Sequence, residues 1–302
     1  MKHFTYERAR DEVSAIAQVA ENPQAKFIAG GTNFMDMWKE GVETPEHLID
    51  IRKLPGEISV NDGVLRLDAS TTNSQVAYHP EVRDRYPVLS EAILAGASPQ
   101  LRNMATTGGN LMQRNRCSYF HDISFACNKR VPNSGCPAVE GINRMHAILG
   151  NSDRCIAAHP SDMCVALAAL GAVVQTRKPD GSSRSIAFTD FHLLPGDTPE
   201  IETVLEHGEL IEAVEIPALP YAQRSHYLKV RDRHSYAYAL VSAAVALEIK
   251  ENKIVNARVA MGGVGTKPWR SPEAESALVG SMANEESFTA AAEVALQGAK
   301  PY

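Results

Sequence analysis

The sequence predicts an α+β protein, a first part of short alternating strands and helices followed by a smaller unit of antiparallel strands and two helices. Three observations carry that expectation. Up to about residue 95, strand-like and helix-like pieces follow one another closely. From about Ser183 the strand-like runs lengthen and one reverses at a tight polar turn. Between them, Gln113 to Cys155 is rich in Arg, Asn, Ser, Pro, Gly and Cys and shows little apolar periodicity.

The elements follow in order. Phe4–Tyr6 and Lys26–Ala29 read as strands around an amphipathic helix, Asp11–Ala20; a helical pattern runs from Phe34 to Lys39 and a strand from Leu48 to Ile51. Ile58–Val60 and Val64–Leu67, joined by Asn61-Asp62-Gly63, form a hairpin. Helices are expected at Asn73–Tyr78 and Pro87–Leu94. After the irregular stretch comes helix Pro160–Leu170, opened by Ser161 and Asp162, then strand Ala172–Thr176 and the turn Pro179-Asp180-Gly181. Leu210–Ile216, His226–Val230, Ala237–Ile249 and Ile254–Met261 are the later strands, with Glu251-Asn252-Lys253 as a turn, and helices Pro272–Leu278 and Glu285–Ala299 close the chain.

Composition narrows the function. The 302 residues, 44% hydrophobic and 22% charged, match a soluble globular chain able to bury a core without disulfides. A net charge of −6 leaves no basic surplus for nucleic acid or anionic lipid. The N-terminus lacks the apolar core of a secretory signal, and the run Met163–Val174 is too short to span a bilayer. The expectation is a chain that starts in the cytoplasm and reaches the periplasm only if a partner carries it.

Two glycine loops carry the chemistry. Lys26-Phe27-Ile28-Ala29-Gly30-Gly31-Thr32-Asn33 is a strand, a Gly-Gly turn and a helix start, where successive amides can point at one anion. Thr106-Thr107-Gly108-Gly109-Asn110-Leu111 repeats the theme. Each loop alone is weak; together they suggest a diphosphate held between them, as in a dinucleotide.

Ala29–Asn33, Arg102–Leu111 and His159-Pro160-Ser161-Asp162 resemble the three FAD-binding signatures of the flavoprotein (medium) subunits of molybdenum hydroxylases. Tyr227–Arg233 with Tyr236–Val241, and Ala260–Gly265 with Lys267–Arg270, are further matches in the same order. The resemblance implies a two-part FAD-binding domain of the vanillyl-alcohol-oxidase type, residues 1–55 and 56–180, followed by a C-terminal α+β domain of the CO dehydrogenase flavoprotein type, residues 181–302. It implies FAD contacts from Lys26, Phe27, Ile28, Ala29, Gly30, Gly31, Thr32, Asn33 and Phe34. It adds Thr106, Gly108, Gly109 and Asn110, with Asp162 accepting hydrogen bonds from the cofactor and Lys229 beside the isoalloxazine. Without the resemblance, Asp162 reads as a helix cap and Lys229 as a solvated strand residue.

The cysteines are spaced C-x9-C-x8-C-x18-C-x8-C, without the C-x2-C pairs of common zinc and ferredoxin sites. Cys164 lies in an apolar helix and reads as packing. That leaves Cys117, Cys127, Cys136 and Cys155, which spacing alone leaves open to a cluster, a structural zinc or free thiols. The insert, about residues 113–157, resembles that of the flavoprotein subunits of periplasmic-type aldehyde oxidoreductases and of 4-hydroxybenzoyl-CoA reductases, which implies a 4Fe–4S cluster on these four thiolates, with Lys129 and Arg130 offsetting charge. His121 and His146 also fall in the insert and are not counted as ligands.

No nucleophilic triad, zincin helix or paired acid motif emerges, so no catalytic residue is assigned. The resemblance implies a heterotrimer in which a molybdenum-cofactor subunit oxidises an aldehyde, a 2Fe–2S subunit relays electrons, and FAD on this chain passes them to an external acceptor. Other flavoprotein subunits of the family, or a non-enzymatic zinc-bound scaffold, are the competing expectations.

Overall fold

The computed structural model describes residues 3–302. The first unit contains β1 (Thr5–Arg8), α1 (Glu12–Ala20), β2 (Ala25–Ile28), α2 (Phe34–Lys39) and β3 (His47–Asp50). Its three strands form a parallel sheet in the order β1-β3-β2. Asp11 starts α1 with a capping box to Ser14, and Ala15 and Val19 bury one helical face against Ala25 and Ile49.

The second unit opens with hairpin β4 (Ile58–Asn61) and β5 (Val64–Asp68), whose two-residue turn places Asp62 and Gly63 at φ +50° and +82°. Positive φ at both positions gives the turn the twist that matches the strands. Short helices α3 (Asn73–Tyr78), α4 (Pro80–Arg85), α5 (Pro87–Ala95), α6 (Pro99–Arg102) and α7 (Thr107–Leu111) follow. The cysteine-bearing stretch contributes only α8 (Ser118–His121). Then come α9 (Asp162–Leu170), β6 (Val173–Arg177), β7 (Ser183–Ala187), α10 (Phe188–Phe191) and β8 (Leu210–Ile216).

Here the structure corrects an expectation. A domain boundary near residue 181 placed β7 and β8 in the C-terminal unit, yet both belong to the second unit's five-stranded antiparallel sheet, ordered β4-β5-β8-β6-β7. Strand length and pattern report burial and period; they do not say which sheet a strand joins. β8 is the central strand, apolar at five of seven positions because both its faces are covered.

The C-terminal unit begins at β9 (Ser225–Val230) and continues through β10 (Val241–Lys250), β11 (Lys253–Gly262), β12 (Trp269–Arg270), α11 (Pro272–Leu278) and α12 (Glu285–Ala295). The sheet runs β12-β11-β10-β9, antiparallel throughout. β10 starts at Val241 rather than Ala237, because residues 231–240 form a loop with Tyr236 at φ +52°. α12 ends at Ala295, short of the expected Ala299.

Helix α9 joins the two larger units. Every one of its nine residues is buried, and it lies against both α5 and the inner face of β10 and β11. Gly262 has no side chain there because a Cβ would fall on the Val165 side chain. Ser161 caps the helix by accepting from the Cys164 amide at 3.1 Å, and Gly171 ends it at φ +67°. Among the described residues no helix is long and apolar enough to cross a membrane.

Truncating Leu167, fully buried in α9, leaves a cavity in the shared core. Leu167→Ala should cost about 2–5 kcal/mol of unfolding free energy by urea titration; a change below about 1 kcal/mol would show that the two units do not share this core.

Candidate functional site

The first glycine loop leaves β2 and enters α2. Gly31 sits at φ +71°, a conformation costly for a side chain. Among the described residues, the amides of Gly30, Gly31, Thr32 and Asn33 donate to no other group of the chain, whereas the Gly31 carbonyl already accepts from Met35. Four consecutive unpaired amides form a concavity suited to an oxygen anion. The residues before the loop have other tasks. Lys26 pairs with Glu43, Phe27 packs on the first unit's core, and Phe34 rests at 5.8 Å from the Trp38 ring.

The second loop differs from expectation. Thr107 and Gly108 donate their amides to the carbonyls of Thr71 and Ala69, both at 2.8 Å. Gly109 donates to the Thr106 hydroxyl at 3.2 Å, and Asn110 to the Thr106 carbonyl at 2.8 Å. These amides are closed off by the chain itself. The glycines serve close packing: a Cβ on Gly108 would press on Ala69, and one on Gly30 would fall on the Met104 carbonyl. The loops therefore meet through Gly30, with the first presenting amides and the second presenting side chains. Asn110 continues the line, its Oδ1 accepting from the Ser161 hydroxyl at 2.5 Å.

That bond leads to a cleft at the head of α9. Its wall includes Ser161, Asp162, Tyr238, Ser242 and Gly263 together with Arg116 and His146 of the insert. Asp162 is buried, accepting from the Tyr227 hydroxyl at 2.6 Å and from Lys229 Nζ at 2.8 Å. Burial, with the Asp162 charge beside it, raises the Tyr227 phenol far above its ordinary value, so it stays a neutral donor. Lys229 is itself 4% exposed and does not line the cleft; it stands behind Asp162 and bonds the Ala95 carbonyl at 3.2 Å. Its charge reaches the cleft through Asp162. The Ser242 hydroxyl is buried in the wall beside Tyr227. The free amides and the adjoining cleft fit a bound dinucleotide.

The four insert cysteines come together. Cys117, Cys127, Cys136 and Cys155 line one small cavity, with Phe120, Lys129 and Pro137 among its other walls. Cys164 stays apart inside α9, its thiol pushed up to about 12 by burial. Burial also raises Cys117 and lifts Cys155 to about 11, the neighbouring thiols adding to it and Lys129 opposing it. Four thiolates could share this cavity only with a cation to neutralise them. Arg130, expected beside the thiolates, is instead turned to the carbonyls of Tyr119, Asp122 and Phe125. His121 is engaged by Glu40 and the Asn115 carbonyl. His146, which loop position gave no reason to single out, places Nε2 at 3.2 Å from Cys117 Sγ.

The only trio of His, Cys or acidic groups among the described residues with donor atoms all within 4.8 Å of one another is His159, Cys164 and His192. His192 spans to the Leu111 carbonyl at 2.9 Å, and burial lowers its pKa to about 4, leaving a neutral packing ring.

A charge network clamps the insert. Arg114 donates its amide to Asn33 Oδ1 at 2.9 Å, its guanidinium to Glu202 and Glu43 at 2.5 and 2.7 Å, and stacks over Phe120. Lys129 joins Glu202 at 2.8 Å. Burial works to raise the Glu202 pKa, but Arg114 and Lys129 outweigh it and hold the carboxyl below its ordinary value.

Comparison with known proteins matches these features. Residues 2–219 fit the FAD-binding domain found in molybdopterin dehydrogenases, and residues 226–302 the CO dehydrogenase flavoprotein C-terminal domain, the break falling between β8 and β9. The chain is 52% identical over 280 residues, 92% of its length and 86% of the relative's, to the aldehyde oxidoreductase FAD-binding subunit of Escherichia coli. It is 27% identical over 285 residues to the glyceraldehyde dehydrogenase medium chain of Sulfolobus acidocaldarius, covering 94% of this chain and 83% of that one. Among solved structures, quinoline 2-oxidoreductase from Pseudomonas putida superposes with a TM-score of 0.75 at 27% identity, over all of this chain and 89% of the other.

Gly30→Ala should force the loops apart and cut FAD retention at least tenfold in fluorescence titrations, while Gly181→Ala, in an open turn, leaves it unchanged. The Glu202 contribution has a definite sign. A depressed folded pKa stabilises fully above the ordinary value of 4.5 and the effect is lost as pH falls below it. Denaturation midpoints recorded between pH 3 and 7 should fall toward acid, and less steeply for Glu202→Gln; parallel curves would remove Glu202 from that role.

Proposed function

The chain belongs to the FAD-binding family of molybdopterin dehydrogenases, and we propose that it is the flavin-carrying subunit of an aldehyde-oxidising molybdenum hydroxylase and also holds a 4Fe–4S cluster. It is an oxidoreductase subunit of the kind that works within a multi-subunit assembly. The aldehyde reading rests on the likeness, at half of all positions, to an aldehyde oxidoreductase subunit. The other components are proposed to be a molybdenum-cofactor subunit and a 2Fe–2S subunit that feeds electrons to this one.

In this reading the diphosphate of FAD lies on the free amides of Gly30 to Asn33, bordered by Thr106 and Asn110, and the ring system enters the cleft at Asp162. Bound flavin supplies an acceptor that takes electrons singly and releases them in pairs. The chain's own residues orient and screen. Tyr227 and Lys229 fix the Asp162 carboxylate, and the Tyr238 ring under Arg116 closes one edge. External acceptors exchange electrons with the flavin at this cleft.

One observation carries the cluster: four thiols scattered through an irregular stretch line a single cavity. Their spacing favours a cluster over zinc. Four thiolates around one zinc, at about 2.3 Å each, stand about 3.8 Å apart, whereas no three of these sulfurs lie within 4.8 Å of one another. A larger body with four separate iron corners suits that spread.

Cys136→Ser in the natively purified assembly should remove the iron held by this chain, about four atoms, while FAD still leaves on heating; Cys164→Ser should keep the iron. Full iron content in the Cys136 variant, or stoichiometric zinc in the unaltered protein, would refute the cluster.

A further inference from the structure

Two cationic side chains, Lys129 and Arg154, and no carboxylate line the thiol cavity. Arg154 is exposed to solvent, which screens its charge, whereas the Lys129 side chain is only 11% exposed. Among the described residues no hydrogen bond joins Lys129 to a thiol. Its Nζ donates instead to Glu202 Oε1 at 2.8 Å and to the Pro199 carbonyl at 3.0 Å. The other carboxylate oxygen, Glu202 Oε2, accepts from Arg114 Nε. Each oxygen of Glu202 thus holds one cation, and Glu202 itself is not part of the cavity wall.

The backbone that carries Glu202 is fixed as well. The Glu202 carbonyl accepts from the Leu193 amide at 3.0 Å, and Val204 donates its amide to the Phe191 carbonyl at 3.1 Å. Further along the same connection, the Gly196 carbonyl accepts from the Ser152 hydroxyl of the insert at 2.8 Å. A carboxylate on this support stays in place, and the lysine is held to it. Reducing a cluster adds one negative charge to a body already ringed by four thiolates. Where water is partly excluded, a fixed cation at the wall stabilises that reduced form and a fixed anion opposes it.

We propose that Glu202 is a positioning residue for the cluster: it fixes the Lys129 ammonium at the cavity wall, and the pair, with its positive member the nearer, sets the cluster's reduction potential. This rests on the cluster reading above and goes beyond it, because groups around the ligands tune a metal centre that the ligands only bind. The two charges act in opposite senses. Lys129 raises the potential and Glu202 lowers it, the lysine more strongly because it lines the cavity. A pair that served only to hold the fold together has no reason to give opposite signs.

The test uses the assembled enzyme carrying Lys129→Met, Lys129→Arg or Glu202→Gln, with iron content, FAD content and the cluster midpoint potential followed by EPR redox titration. All three variants should keep iron and FAD. Lys129→Met should shift the midpoint downward, and Lys129→Arg, which keeps the charge, should stay closer to the unaltered value. Glu202→Gln leaves an oxygen to accept from Lys129 while removing one negative charge, and should shift the midpoint upward. Midpoints that do not move, or that move the same way in the Met and Gln variants, overturn the proposal. Iron lost from either variant overturns it too, marking the pair as a fold element. Iron absent from the unaltered protein sinks the cluster reading itself, and this proposal with it.

Discussion

The placement of Arg114 is the constraint on which the candidate site depends. Its amide is bound to the side chain of the first glycine loop, and its guanidinium to one carboxylate from the first unit and another from the connection before β8. Three residues later the chain reaches Cys117. A single residue thus fixes the loop that presents free amides and the start of the stretch that gathers the thiols. A planar, permanently charged fork suits the post, because it can satisfy two carboxylates in one plane while its face lies on Phe120. Removing it would leave the buried Glu43 with Lys26 and the partly buried Glu202 with Lys129, each more poorly compensated.

Much of this was legible in the residues. Period and punctuation located the helices Phe34–Lys39, Asn73–Tyr78 and Pro272–Leu278 at their observed bounds, since each has a clear start signal or an adjoining breaker. The four insert cysteines were separable from Cys164 because one sits in an apolar helix and the rest in polar coil. What local sequence could not show was partnership across distance. The sheet membership of β8, the closing-off of the Thr107 and Gly108 amides by Thr71 and Ala69, and the position of Lys229 behind Asp162 all depend on segments far apart in the chain. His146 gave no motif; only its neighbour Cys117 in space gives it meaning.

The two glycine loops show how alike two sequences can be while doing unlike physical work. Both carry Gly-Gly with a threonine and an asparagine. In one, Gly31 sits at positive φ and the amides stay unpaired; in the other, Gly108 packs against Ala69 and the amides are consumed internally. The outcome is a division of labour between a presenting loop and a supporting one, fitted together at Gly30.

The position of β8 bears on how the chain is made. β5 ends its hairpin early, yet its second neighbour arrives only when Ile216 comes to lie opposite Leu65. On the ribosome, the nascent protein must therefore hold an unfinished sheet edge open while the entire cysteine-bearing stretch emerges. The contact that closes this edge spans half the length of the polypeptide.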